Sequence, residues 1–250
     1  MTNQFDISKC SQFVISECLN HLKSRFATKY NLNKYTSHHT STLFFGLFNI
    51  HEIQQLQIHK GPKYVMFAGT DLELIKTNSK LLTKLSKISV DGYIGISLNI
   101  IERMKLIPEI NLIKMYYFPL NLVDNNLFKS IDLENNGKKN GKKKVKKIFI
   151  YNGLSIGNEH IYNKELYEQI VNNYPQIEFI YSCGLSKSYE QMPQIYSECF
   201  IGLRLTKNDG NANMVQEMVS MGIPVIHNGE QGGIGWTNLD DIIKIINKFI

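Results

Sequence analysis

The chain has 250 residues, of which 43% are hydrophobic and 20% are charged. These values are typical of a folded protein with one large or two small domains and exclude a disordered or fibrous chain. The formal net charge is +6, but the lysines between Lys138 and Lys147 account for it, so the basic balance belongs to one segment and not to the fold.

No feature of the sequence predicts export, membrane insertion or a metal site. The first residues, MTNQFDISKC, lack the apolar stretch of a signal peptide, and no apolar run reaches the ~20 residues of a membrane span. The cysteines have neither C-x-x-C spacing nor a histidine at metal-ligand spacing. They are Cys10, Cys18, Cys183 and Cys199. We therefore expect a cytoplasmic protein, and the skew toward Lys, Asn, Ile, Tyr and Phe is typical of an AT-rich genome.

The first half begins with an amphipathic pattern that predicts one helix over residues 7–30. Short apolar runs and helical patterns then alternate. The predicted strands are 42–48, 63–69, 91–97 and 111–118, and the predicted helices are 51–61, 78–87 and 99–106.

This alternation stops after residue 123 and resumes at residue 147. The stretch LENNGKKNGKKKVKK is polar and interrupted by glycine, which predicts a linker or loop over 124–146. The later predicted strands are 147–153, 177–184, 200–206 and 223–228, and the predicted helices are 164–173, 193–199, 213–221 and 237–249. A capping box at Thr237 and Asp240 opens the last helix.

Continuous apolar strands that alternate with helices predict parallel sheets covered on both faces. We therefore expect an α/β protein with two Rossmann-like domains, residues 1–123 and 147–250. Ligands of such sheets bind beyond the carboxyl ends of the strands. The loops in question follow Gly69, Gly153, Gly184, Thr206 and His227.

The segment LRLTKNDGNANMVQEMVSMGIPVIHNG is the most informative part of the sequence. A buried strand leads through a glycine-containing loop into a helix that begins near Ala212 or Asn213, where free N–H groups favour a diphosphate. Arg204 and Lys207 add positive charge beside that helix. Glu217 lies one turn into the helix, where its carboxylate can accept hydrogen bonds from two ribose hydroxyls.

This segment resembles the E-x7-E signature of retaining GT-B glycosyltransferases, especially those of family four. Asp209 and Glu217 match the two acidic positions, and the matching small residues are Gly210, Gly222, Pro224 and Val225. The resemblance implies that Asp209 positions the donor sugar and Glu217 binds the ribose. It further implies that Gly210, Asn211, Ala212 and Asn213 hold the phosphates. It also implies a UDP- or GDP-sugar donor, a glycan or lipid-linked acceptor, and no metal or other cofactor.

The sequence departs from the family pattern at three points. Asp209 is one methylene shorter than the family's glutamate. The family carries an arginine and a lysine after the first strand of the second domain, whereas the stretch from Gly153 onward offers only Lys164. The usual opening strand and glycine-rich loop of the first domain are not found, which predicts a reduced N-terminal domain.

Several residues have a structural interpretation beside the functional one. Asp209 and Glu217 also fit a helix cap and an exposed carboxylate, and Arg204 also fits a paired structural cation. Gly69-Thr70-Asp71 is interpreted as a turn before a helix rather than as a ligand contact. The run Lys138–Lys147 is interpreted as a solvated segment, with peripheral membrane contact as the alternative. Nucleic acid is not expected, because no aromatic residues interrupt the lysines.

Two further functions remain open at this stage. One is a non-catalytic nucleotide-sugar-binding protein or partner subunit, which the short first domain and the Asp209 exchange favour. The other is a sugar-nucleotide epimerase of the same fold, which would consume donor without an acceptor.

Overall fold

The computed structural model of the chain describes residues 3–111, 113–131, 147–153, 162–206, 211–230 and 232–250. The chain divides into two compact units, Met1–Leu122 and Val123–Ile250. Each unit is built on a parallel sheet of its own, as the strand–helix alternation predicts. The fold is therefore α/β, with two Rossmann-like units.

The first unit contains a seven-stranded sheet in which all neighbours are parallel. Its strands are β1 (Asn3–Gln4), β2 (Gln12–Ile15), β3 (Asn33–Lys34), β4 (Thr42–Phe45), β5 (Lys63–Phe67), β6 (Gly92–Gly95) and β7 (Met115–Tyr117). They lie in the order β3-β2-β4-β5-β6-β7-β1. Strands β4 and β6 are buried along their whole length, which explains why their sequences do not alternate between polar and apolar residues.

Helices surround this first sheet and close its core. They are α1 (Lys23–Tyr30), α2 (Ile50–Ile58), α3 (Thr70–Thr77), α4 (Ser79–Leu85), α5 (Leu98–Lys105) and the single turn α6 (Pro108–Asn111). Helix α2 begins with a capping box in which Asn49 and Glu52 exchange hydrogen bonds with each other's backbone N–H.

The predicted single helix over residues 7–30 is wrong. The segment contains two short 3-10 turns, the strand β2 and then α1. Asp6 and Ser16 begin the turns, and each side chain accepts an N–H from two residues further on. Val14 and Ile15 are β-branched residues that favour strands, and β2 pairs with both β3 and β4. The sequence pattern thus failed to reveal β2, a strand that the structure contains.

The second unit contains a four-stranded parallel sheet. Its strands are β8 (Lys147–Ile150), β9 (Glu178–Tyr181), β10 (Cys199–Arg204) and β11 (Val225–His227), in the order β9-β8-β10-β11. Its helices are α7 (Lys164–Asn173), α8 (Met192–Tyr196), α9 (Asn213–Ser220) and α10 (Leu239–Ile246).

The two faces of this second sheet have separate cores. Ile148 and Ile150 of β8 pack with residues of α7 and α10, whereas Phe149 packs with residues of α8 and α9. Alternate side chains of one strand thus enter opposite cores, as the pleat of a strand requires. Both faces of the sheet are covered, in agreement with the sequence-based prediction.

The predicted linker over 124–146 begins inside the second unit. Phe128 is buried, and its carbonyl accepts a hydrogen bond from the Ser220 hydroxyl at 2.9 Å. The N–H of Ile131 donates to the carbonyl of Met221 at 3.0 Å. Residues 124–131 therefore pack on this unit, whereas residues 132–146 lie outside the described part of the chain, and most of the lysine run lies there with them.

Lys147, the last lysine of the run, has a structural role. It begins β8, and its Nζ lies 2.9 Å from a carboxylate oxygen of Glu178 and 2.9 Å from one of Glu198. These hydrogen bonds raise the pKa of the Lys147 ammonium. The interpretation of the run as a solvated segment does not apply to this residue.

The capping box predicted at Thr237 and Asp240 is wrong, because the helix begins one residue later. Asn238 is the residue that caps α10, since its side chain accepts the N–H of Asp241 at 3.0 Å. The carboxylate of Asp241 in turn accepts the N–H and the hydroxyl hydrogen of Thr237. Asp240, which the sequence pattern placed in the box, has no part in it.

Asp71 joins two loops at the carboxyl edge of the first sheet. The side chain is fully buried. One carboxylate oxygen accepts N–H groups of Ala68, Gly69 and Leu72 at 2.8–3.0 Å, and the other accepts the N–H of Leu47 at 3.2 Å. The interpretation of Gly69-Thr70-Asp71 as a turn before a helix is therefore supported. Burial raises the pKa of the Asp71 carboxyl to about 6, although the four N–H donors act in the opposite direction.

We expect Asp71→Asn to destabilise the protein by about 1–3 kcal/mol, because an amide NH2 would face the N–H of Leu47 and leave it without an acceptor. The raised pKa means that the folded protein binds more protons than the unfolded chain between about pH 4 and pH 6. The contribution of Asp71 to stability is therefore full below this window and is lost as the pH rises through it. Urea denaturation across this range measures both effects.

Asp71→Asn should not show the loss of stability that the wild type shows as the pH rises through this window. Asp91→Asn is the matched control, since Asp91 also accepts a backbone N–H, that of Lys63, but at the protein surface. Identical pH slopes for the wild type and Asp71→Asn would show that Asp71 does not titrate in this window.

Candidate functional site

The candidate site lies at the carboxyl ends of β8 and β10. The chain leaves β8 toward β9 on one side and returns to β10 on the other side of β8. The carboxyl ends of β8 and β10 therefore lie at the point where the strand order reverses, which is where ligands of a parallel sheet bind. Gly153 and Arg204, two of the residues singled out from the sequence, belong to these two chain segments.

The loop after β8 is held by the side chains of Asn152 and Ser182. The N–H of Asn152 donates to the Ser182 hydroxyl oxygen at 3.0 Å, and that hydroxyl donates to the carbonyl of Gly153 at 2.7 Å. The N–H of Cys183 donates to the Asn152 side-chain oxygen at 2.9 Å. Gly153 is buried and has a φ of +96°, a conformation that favours glycine. The sequence-predicted glycine is thus needed for the shape of the loop.

Helix α7 joins these two chain segments through Tyr167. Its buried hydroxyl donates to the carbonyl of Tyr151 at 2.9 Å and accepts the N–H of Leu205 at 3.0 Å. The side-chain amide of Asn163, just before the helix, donates to the carbonyl of Leu205. Both backbone groups of Leu205 are therefore bound by side chains from the start of α7.

Arg204 ends β10 and lies against two tyrosines. Its guanidinium carbon is 4.3 Å from the ring centroid of Tyr151 and 5.4 Å from that of Tyr162. The two rings are 5.2 Å apart and nearly perpendicular. Both distances are within the range of cation–π attraction. Arg204 thus lies at the carboxyl edge of the sheet, where the sequence predicts an anion-binding residue.

Lys164 begins helix α7 and lines a cavity of about 170 Å³. The other lining residues are Asn152, Tyr167, Glu168 and Tyr181. The cavity adjoins the fixed loop after β8, so Lys164 lies near the sequence-predicted site. The structure does not bring Lys164 into a described contact with Arg204.

The start of helix α9 carries three more of the predicted residues. Ala212 precedes the first helical residue, Asn213, and makes no side-chain cap. The side-chain oxygen of Asn211 accepts a hydrogen bond from the Gln216 amide, which fixes the entry to the helix. Lys207, Asp209 and Gly210 lie outside the described residues, so their roles stay predictions.

Glu217 has a buried environment that the sequence did not predict. The residue is only 5% exposed, and its carboxylate accepts a hydrogen bond from the hydroxyl of Tyr196 at 3.0 Å. Burial and the neighbouring carboxylate raise the pKa of Tyr196 well above its usual value. The interpretation of Glu217 as an exposed helix carboxylate is therefore wrong, and its role toward ribose stays a prediction.

A buried hydroxyl lies directly after β10. Thr206 is 5% exposed, and its Oγ1 has no hydrogen-bond partner among the described residues. Buried polar groups are nearly always satisfied by protein or water. Water or a polar ligand at this edge of the sheet would satisfy the hydroxyl.

Among the described residues, no group of three or more His, Cys, Asp or Glu side chains is arranged to hold a metal ion. Every helix in the same part of the chain is too short or too polar to cross a membrane.

Sequence reasoning missed the tyrosines of this site. Tyr151 and Tyr162 contact the predicted Arg204, and Tyr196 contacts the predicted Glu217. Tyr167 binds the backbone of Tyr151 and of Leu205, the neighbour of Arg204. The position of Tyr151 could have identified it as a site residue, since it directly follows β8 at the predicted ligand-binding edge. Tyr196 had no such signal, because it lies 21 residues from Glu217 in the sequence and only the folded chain brings the two together.

Comparison with known proteins identifies the fold. No family model and no curated protein sequence matches the chain. A solved sucrose-phosphate synthase of Thermosynechococcus elongatus matches with a TM-score of 0.54 and 10% identity, over 90% of this chain and 66% of that one. A trehalose-6-phosphate synthase studied for glycosyltransfer with retention matches with a TM-score of 0.54 and 11% identity, over 93% and 69% of the two chains.

A third match is to accessory secretory protein 1, 2 and 3 of Streptococcus pneumoniae, with a TM-score of 0.47 and 11% identity, over 83% of this chain and 46% of that one. The chain thus spans between about half and about two thirds of the proteins that it matches. The two synthases are GT-B glycosyltransferases, and the chain shares their type of fold, with two Rossmann-like units.

We expect Tyr196→Phe to destabilise the protein by about 1–3 kcal/mol, because the buried carboxylate of Glu217 would lose its hydroxyl donor. A double-mutant cycle with Glu217→Gln, read by urea denaturation, isolates this interaction. The double variant should be more stable than the sum of the two single effects implies. Additive effects would mean that the hydrogen bond contributes nothing to stability.

Proposed function

We propose that the chain is a glycosyltransferase of GT-B fold, which moves a hexose from a UDP- or GDP-sugar to a hydroxyl of a glycan or lipid-linked acceptor, with retention of configuration. The observation that carries the proposal is the position of Arg204. This cation lies at the carboxyl ends of β8 and β10, immediately before the acidic and glycine-containing segment that resembles the E-x7-E signature.

The chemistry of such a transfer explains why a cation is needed there. When the bond between sugar and nucleotide breaks, negative charge develops on the departing diphosphate, and fixed positive groups stabilise it. Arg204 supplies such a group. The N–H groups at the start of α9 add to it, because they form the positive end of the helix dipole. In the proposal, Lys164 and Lys207 supply further charge, and Gly153 lets the loop backbone approach the phosphates.

The remaining roles follow from the motif. Asp209 positions the donor sugar, Glu217 binds the ribose hydroxyls, and Gly210, Asn211, Ala212 and Asn213 contact the phosphates. No metal takes part, because protein cations and amides carry the phosphate charge. Turnover that persists in excess EDTA would support this part of the proposal.

The exchange of the family's first glutamate for Asp209 favours a second candidate, a non-catalytic nucleotide-sugar-binding protein or partner subunit. A side chain one methylene shorter reaches less far toward the donor sugar. Tight donor binding with neither transfer to any acceptor nor donor hydrolysis would favour this candidate. Consumption of donor without an acceptor would instead favour an epimerase.

Nucleotide binding is tested by thermal unfolding with UDP, GDP and a panel of their sugars. A ligand at roughly a hundredfold its Kd stabilises the folded state by about 2.7 kcal/mol. Arg204→Gln should weaken binding of the stabilising nucleotide about tenfold or more, because a charge-assisted contact contributes about 1.5–3 kcal/mol.

Arg103→Gln is the matched control for this experiment. Arg103 binds Glu73 and the carbonyl of Gly69 in the first unit, so its loss should leave nucleotide affinity unchanged. The proposal would be wrong if no nucleotide or nucleotide sugar stabilises the wild-type protein.

A further inference from the structure

The guanidinium of Arg204 lies against the rings of Tyr151 and Tyr162 in the second unit. We propose that Tyr151 is a positioning residue that fixes Arg204 for binding a nucleoside diphosphate, with Tyr162 as a secondary support. This inference rests on the proposed function, because it concerns the same phosphate-binding cation.

The ring contact suits an anion-binding arginine. The N–H donors of a guanidinium point outward in its plane, whereas an aromatic ring attracts its face. A ring below Arg204 therefore restricts the side chain without using the donors that grip phosphate oxygens. Since Tyr151 is closer to the guanidinium than Tyr162, at 4.3 Å against 5.4 Å, it should have the larger effect.

The backbone fixes Tyr151 and Arg204 relative to each other. The N–H of Tyr151 donates to the carbonyl of Leu203 at 2.9 Å. The carbonyl of Tyr151 and the N–H of Leu205 share the hydroxyl of Tyr167. The residues on either side of Arg204 are thus each joined to Tyr151, so the backbone of Tyr151 is held beside that of Arg204.

The two rings are themselves anchored in different cores. Tyr151 packs with the residues around α8 and α9, whereas Tyr162 packs with those around α7 and α10. Their perpendicular contact at 5.2 Å is a favourable aromatic geometry. This pair therefore links the cores on both faces of the sheet at its carboxyl edge.

The experiment compares Tyr151→Leu, which removes the ring, with Tyr151→Phe, which keeps it. Affinities are measured for UDP and GDP, and for uridine and guanosine, which lack phosphates. Tyr151→Leu should weaken binding of the diphosphates about fivefold and leave the nucleosides unchanged, whereas Tyr151→Phe should bind all four like the wild type. Tyr162→Leu should have a smaller effect, and Tyr189→Leu, whose ring pairs with Phe128, should have none.

A second readout does not depend on nucleotide binding. The chain has only three arginines, Arg25, Arg103 and Arg204, so the side-chain Nε–H signals are few, and Arg204→Lys identifies the one of interest. Ring current from Tyr151 should shift this signal upfield in the wild type and in Tyr151→Phe, but not in Tyr151→Leu.

The outcomes separate this inference from the proposed function. An Arg204 signal or a diphosphate affinity that Tyr151→Leu leaves unchanged would overturn the positioning role. A wild type that binds no nucleotide would refute the proposed function, while the Arg204 signal would still decide whether Tyr151 holds the guanidinium. If Tyr151→Leu lost affinity equally for nucleosides and diphosphates, the positioning role would also be overturned, since such a loss would indicate general damage to the site.

Discussion

The hydroxyl of Tyr167 is the interaction on which the candidate site depends. It binds the backbone at the carboxyl ends of both β8 and β10, and so it satisfies two groups that the parallel ladder leaves unpaired there. The tyrosine comes from α7, whose other buried residue, Ile170, belongs to the core of the same unit. Packing of that helix therefore holds Tyr151 and Leu205 in place beside Arg204.

Much of the fold was predictable because its signals are local. Strands such as β5 and β10 are short apolar runs with helical patterns between them, and helix α7 has the predicted bounds, Lys164–Asn173. The helix predicted over residues 7–30 failed because β2 is a strand of only four residues. Its pairing with β4, which is distant in sequence, outweighs the local helical periodicity.

The candidate site was predictable in its location but not in its contacts. Arg204 and Gly153 were found because ligands bind where parallel strands end, and this rule needs only the order of elements. The burial of Glu217 and its bond to Tyr196 depend on how α8 and α9 pack, which no periodicity reports. The contacts of Asp71 were equally unpredictable. Its carboxylate accepts hydrogen bonds from four N–H groups of two loops, and no local sequence pattern indicates this.

The edge strand β1 has a consequence for synthesis of the chain. Asn3 pairs with Tyr116 and Gln4 with Tyr117, so β1 joins β7, the strand of its sheet that the ribosome makes last. Pairings between such distant segments form slowly, since a long loop must close first. Strand β1 therefore stays unpaired until the whole first unit has emerged from the ribosome. During this period an exposed strand edge can associate with other chains.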